Sequence, residues 1–144
     1  MYSDNNLIYL FTILEAIEKI DLYTQDLSDD EEFYSANNQM NFNAVVNLLI
    51  AIGEENKKIE QKIKNDYPFN WNDISKMRDK ISHNYRGINP YMVWDIVQNS
   101  IPEYKELLLN ILPKVDEFKE ALTDALDSQF YIHLGYLKNL KFIK

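Results

Sequence analysis

Apolar residues recur at intervals of three and four along nearly the whole chain, and this periodicity restricts the fold to packed helices. Leu7, Leu10, Phe11, Leu14 and Ile17 form the first stripe and predict a helix from about Asn6 to Tyr23. A second stripe, Val45, Leu48, Leu49, Ile52, Asn56, Ile59 and Ile63, predicts a long helix antiparallel to the first. It should end before Asp66-Tyr67-Pro68, because proline disfavours helical geometry in the residue preceding it. The third helix carries Ile74, Met77 and Ile81, begins at a cap on Asn70 or Asn72, and is expected to stop at a left-handed Gly87. Asn89-Pro90 reads as a cap followed by proline at the first helical position. It launches Tyr91, Trp94 and Val97, with a break or kink at Pro102 before Leu107, Leu108, Ile111 and Leu112. Pro113 marks another break or a new start, after which Phe118, Ala121, Leu122, Ala125, Leu126 and Phe130 keep the same spacing. Residues 131–144 form an aromatic, lysine-bearing tail. Neither sustained alternation nor an Asn-Gly or Asp-Gly hairpin competes with this pattern, so one all-α bundle spanning 1–144 is expected.

Composition closes off most chemistries for such a bundle. The absence of cysteine removes thiol nucleophiles, thiolate zinc sites and iron–sulfur clusters. His83 and His133 are too far apart in sequence for a local metal-binding pair, so neither a metal site nor a cofactor is expected. Three glycines are too few for a phosphate-cradling loop. The longest near-apolar run, Ala44 to Ile52, falls far short of the roughly 20 residues that a membrane span needs. Met1 to Asn6 has no positive region leading into an apolar one, so a soluble cytoplasmic protein is expected, away from any membrane. Asp26, Asp29, Asp30, Glu31 and Glu32 read as a solvated loop. Gly53 lies inside the second helix at a cost of about 1 kcal/mol against alanine. Close approach of a neighbouring backbone or a functional clearance is expected to compensate.

A net charge of −8 opposes general attraction to nucleic acid, so any such binding needs a local basic patch. The segment from Lys76 to Arg86 supplies one, with the only two arginines, Arg78 and Arg86, bracketing His83, and with Lys80 between them. A guanidinium can grip phosphate oxygens and stabilise charge building on phosphorus, while an imidazole passes protons near neutral pH. That pairing suits metal-free RNA cleavage, in which the substrate's own 2′-hydroxyl is the nucleophile. On an ideal helix Arg78 and His83 lie about 140° apart, whereas Arg78 and Tyr85 return to within about 20°. A site using both Arg78 and His83 therefore requires an irregular helix end or two copies of the helix meeting across a two-fold axis. A structural reading stays open beside this one, since cations suit a helix carboxyl end and a lone histidine often only packs.

The spacing Arg78, four residues, His83, one residue, Tyr85 resembles the R-x4-H-x-Y signature of the HepT-like toxins of the HEPN superfamily. Ile52-Gly53-Glu54 is similar to that family's I-G-E element, Trp71 and Ile74 precede the motif, and Gly87-Ile88 and Val93-Trp94 follow it. The likeness covers roughly Asn6 to Val115, leaving 116–144 as an additional helix or tail. The resemblance implies a HEPN-type antiparallel bundle of four to five helices and a homodimer with a composite cleft. It implies a ribonuclease toxin acting on RNA, with Arg78 and His83 as catalytic residues. It further implies a cognate minimal nucleotidyltransferase antitoxin that transfers an adenylyl group to Tyr85. Asp79, Glu54, Lys80 and Arg86 are the candidate supporting residues. Asp79 departs from the asparagine common at this position, so a carboxylate there either orients Arg78 or partly cancels its charge. Glu54 belongs either to the site or, with Glu55, Lys57 and Lys58, to a surface charge pattern. The alternative function is a catalytically inactive HEPN subunit that binds a nucleotidyltransferase.

Overall fold

α1 (Asn5–Thr24) forms where the first stripe places it and buries Leu7, Leu10, Phe11, Leu14 and Ile17. A computed structural model describes residues 1–83 and 85–139, with Tyr85 described by its backbone alone. Asn84 of the motif segment and 140–144 of the tail lie outside the described residues.

α2 (Asp30–Lys58) starts earlier than its apolar stripe. The acidic run is not a loop: the Asp29 side chain accepts the Glu32 backbone N–H at 2.8 Å, and Asp30, Glu31 and Glu32 fill the first turn. Negative charge is favoured there by the exposed amide dipoles of the helix start. The helix is kinked where Asn37, Asn38 and Gln39 take φ values of 51°, 57° and 71°. Asparagine is among the few side chains that tolerate this left-handed region. The bend lets Phe33 pack against Phe42 and Trp94 at ring separations of 5.4 and 5.3 Å.

The second helix also ends sooner than expected, at Lys58, and Ile63 belongs to the short α3 (Gln61–Asp66). The reason is a competing set of hydrogen bonds from the start of α1. The Asn6 side chain accepts the Glu60 N–H at 2.9 Å and donates to Glu60 Oε2 at 2.9 Å, drawing the chain out of helix. α4 (Trp71–His83) stops at His83 and is followed by a 3-10 turn, Tyr85–Gly87. No described glycine has positive φ, so Gly87 is not the left-handed stop.

α5 (Pro90–Asp95) opens as predicted, with Asn89 Oδ1 accepting the Tyr91 N–H at 2.9 Å. A π-helical turn, Ile96–Ser100, places the irregularity before Pro102, which sits in the first turn of α6 (Ile101–Ile111). The chain stays helical into that turn, with the Ile101 N–H bonded to Ile96 O, so Pro102 stands where the wider π turn passes into α6. Pro113 lies in a 3-10 turn, Leu112–Lys114. α7 (Phe118–Leu126) is shorter than its stripe, and Phe130, which follows it in another 3-10 turn, is 84% exposed.

The helices assemble as an all-α antiparallel bundle with α2 at its centre. Asn41 Nδ2 donates to Tyr23 O at one end of the α1–α2 pair, and Asn6 meets Glu60 at the other. α4 packs along the opposite side of α2, and α6 runs back beside α1, with Lys105 on Glu18 at 3.0 Å and Tyr2 bridged to Val115. α7 lies against α1, and the turns beyond it bury Leu134 and Leu137. His133 fastens this segment: its backbone N–H donates to Glu15 Oε1 at 2.7 Å and its ring Nδ1 contacts Oε2. Glu15 is buried, so these contacts satisfy a carboxylate that would otherwise be costly to desolvate.

Candidate functional site

The register between α2 and α4 is set by a buried polar side chain. Asn56 has no exposed surface, and its amide nitrogen donates to Trp71 O at 2.9 Å and to Ser75 Oγ at 2.8 Å. Its oxygen accepts from the Tyr104 hydroxyl at 2.8 Å, so α6 is tied into the same knot. Burial pushes the Tyr104 phenol far above its ordinary pKa, which keeps it a donor. Trp71, whose Nε1 donates to Tyr67 O at 2.9 Å, is thereby a core anchor.

One turn back along α2, Gly53 makes room for Arg78. A Cβ at Gly53 would overlap the Arg78 Cβ and lie 2.9 Å from its Cγ. The clearance anticipated for this glycine therefore serves a candidate site residue, because the two helices approach closely where Arg78 leaves α4. Glu54, the next residue, contacts Arg78 Nε as a close ion pair outside hydrogen-bond geometry, so this buried N–H has ionic contact without an aligned acceptor.

The guanidinium ends in a four-charge network. Arg78 Nη1 donates to Asp79 Oδ1 at 3.2 Å, and the same oxygen accepts from Lys57 Nζ at 2.9 Å. Lys57 also lies 3.7 Å from Glu54 Oε1. The hydrogen bond from Lys57 holds the Asp79 carboxyl below its ordinary range, with a second contribution from Arg78, against opposing desolvation. Asp79 thus touches Arg78 and offsets its charge together, and Glu54 faces the candidate site. From sequence alone Lys57 belongs to a surface charge pattern with Glu54, Glu55 and Lys58. Its position four residues after Gly53, on the stripe that faces α4, is the signal that would have found it.

The other candidates spread outward from this network. His83 is exposed at the last position of α4, and Arg86 is exposed in the following turn. The Tyr85 side chain lies outside the described residues; its backbone belongs to the 3-10 turn, so the ideal-helix stripe joining it to Arg78 is interrupted after His83. Lys80 lines a separate pocket of about 270 Å³ with Ile81, Gly87, Ile88, Asn89 and Met92. Among the described residues no group of three His, Asp or Glu side chains is placed to hold a metal ion, and no helix is long and apolar enough to cross a membrane. A cation from each of two helices is able to grip a phosphodiester, and the exposed His83 imidazole, five residues further along α4 from Arg78, is able to move a proton.

The sequence model of the ribonuclease HepT-like family matches residues 13–111, a stretch holding Gly53, Lys57 and the whole R-x4-H-x-Y segment. The chain belongs to the ribonuclease HepT-like family. A Methanocaldococcus jannaschii protein, provisionally named an RNase, is 35% identical over 108 residues, covering 72% of this chain and 87% of its own. A protein of Thermococcus cleftensis, named a probable ribonuclease HepT, is 34% identical over 98 residues, covering 67% of this chain and 86% of its own. A longer Methanocaldococcus jannaschii protein, named a gamma-glutamylcyclotransferase and provisionally an RNase, is 34% identical over 113 residues. That match takes in 78% of this chain, which spans half the length of that relative. No solved structure is significantly similar to the HepT-like chain.

Proposed function

We propose that this HepT-like chain is a metal-independent endoribonuclease toxin, a homodimer whose cleft combines the α4 ends of both copies. A minimal nucleotidyltransferase antitoxin holds it in check by adenylylating Tyr85. The observation that carries the reading is the side chain forgone at Gly53 to seat Arg78, in a family named for ribonucleases. Arg78 holds the non-bridging oxygens of the scissile phosphate and stabilises the charge that builds on them. His83 takes the proton from the 2′-hydroxyl as the 2′-oxygen bonds to phosphorus and the bond to the 5′-oxygen breaks. Across the two-fold axis, His83 of the second copy returns a proton to the departing 5′-oxygen. The products are a 2′,3′-cyclic phosphate and a 5′-hydroxyl. An adenylyl group on Tyr85 adds negative charge next to the motif and repels the RNA backbone.

Incubation of the chelator-treated protein with total RNA tests this. The expected result is cleavage leaving 2′,3′-cyclic phosphate ends, abolished in Arg78→Ala and His83→Ala and at sites carrying a 2′-deoxy nucleotide. A folded protein that leaves RNA intact, with no adenylyl mass on Tyr85, would overturn it. The inactive HEPN subunit bound to a nucleotidyltransferase would then take its place.

A further inference from the structure

We infer that Lys57 and Arg78 form a two-cation site for a backbone phosphate of RNA, and that Asp79 fills this site in the free protein and yields it when RNA binds. The inference rests on the ribonuclease reading and adds to it a residue outside the R-x4-H-x-Y motif.

The geometry is a shared oxygen. Lys57 Nζ and Arg78 Nη1, from different helices, converge on Asp79 Oδ1 at 2.9 and 3.2 Å. Two cations that meet on one carboxylate oxygen are spaced to meet on one phosphate oxygen. Neither helix can drift from this spacing, because Gly53 and Asn56 hold α2 against α4 within a turn of Lys57.

The present occupant is replaceable. The Asp79 side chain is 45% exposed and that of Lys57 39%, so their contact faces water, where ion pairs are weakly held. A released Asp79 carboxylate is rehydrated rather than buried. Glu54 plays a different part, because it contacts Arg78 at Nε and leaves the terminal nitrogens for the phosphate. The four charges sum to zero with Asp79 in place, which keeps the two cations from binding anions indiscriminately. RNA, presenting its phosphates along a chain, competes with Asp79 more effectively than a small free anion does.

The test is equilibrium binding, read by fluorescence anisotropy, of a 2′-O-methylated single-stranded RNA, which the proposed reaction cannot cut. Asp79→Asn is expected to bind several-fold more tightly than wild type, and Lys57→Ala more weakly. Adding Lys57→Ala to Asp79→Asn should remove the gain and make the dependence of log K on log salt shallower by about 0.7, the share of one phosphate contact on a single strand. Lys57→Arg should retain the gain in the Asp79→Asn background. An Asp79→Asn protein with an unchanged melting temperature that binds no tighter would overturn the inference, and so would a Lys57→Ala protein with unaltered affinity and salt slope. The two readings fail separately. If RNA is never cleaved but this binding pattern holds, the phosphate site stands and the ribonuclease reading falls; cleavage without the binding pattern gives the reverse.

Discussion

Asn56 and Lys57 are neighbours on α2, and both reach toward α4, yet their side chains enter opposite environments. Asn56 is sealed, neutral and satisfied by Trp71, Ser75 and Tyr104. Lys57 is part of a charged set with Glu54, Arg78 and Asp79 that lies partly open to water. A buried neutral amide with all its partners fixes geometry and has little to exchange. A half-exposed charge network fixes less and can trade a carboxylate for a phosphate. The difference teaches how one helix serves both ends: rigidity comes from the buried cluster, and chemistry from the cluster beside it.

Breaking the sealed cluster should have the largest effect on stability. Asn56→Ala strands the Tyr104 hydroxyl and the Trp71 carbonyl, and is expected to cost about 3 kcal/mol. The melting temperature should fall on the order of 10 °C by calorimetry. Gly53→Ala attacks the junction of the two clusters. Overpacking against Arg78 costs about 1–3 kcal/mol, and the gain in helix propensity of about 1 kcal/mol offsets part of it. RNA cleavage should fall about 100-fold, because a Cβ that would lie 2.1 Å from the Arg78 Cβ forces Arg78 to move by about 1 Å, enough to misplace it in a reacting complex. Tyr104→Phe removes one partner of Asn56 for about 1 kcal/mol and should leave cleavage unchanged, which would separate the sealed cluster's role from that of the open one.

The smallest effect belongs to a charge cluster remote from both. Burial and the neighbouring Glu18 raise the Asp21 carboxyl from 3.8 to about 6, with Lys105 opposing. The folded state therefore holds this proton more tightly than the unfolded chain, so the Asp21 contribution becomes more favourable as pH falls from about 6 toward 3.8. Asp21→Asn should stabilise the protein at pH 7 by less than about 1 kcal/mol, since the side chain is partly solvated. Urea titrations across pH should show that gain fading below pH 6 and disappearing near 3.8.

The parts of this molecule that the sequence makes legible are those governed by local rules. The α1 stripe and the Asn89-Pro90 cap each depend on a few neighbouring residues, and each reads correctly; Gly53 stands out as a glycine inside a helix, while the side chain it clears, Arg78, comes from another helix. What is missed depends on partners distant in sequence. The helix at 45–63 has a continuous stripe, and only the competing hydrogen bonds from Asn6 end it at Lys58. The end of α4 at His83, before Gly87, is likewise not written in local propensity. Lys57 looks like any exposed helical lysine until the register set by Asn56 brings it to Asp79, twenty-two residues away. The motif marks Arg78 and His83; the network that holds Arg78 requires the fold.

The most direct measurement is RNA cleavage by wild type, Arg78→Ala and Gly53→Ala side by side, with folding of each confirmed by melting temperature. The expected result is rapid cleavage by wild type, none by Arg78→Ala, and a severe loss in a folded Gly53→Ala. Wild-type rates in Arg78→Ala, or in a folded Gly53→Ala, would contradict the claim that α2 seats Arg78 to act on the RNA phosphate.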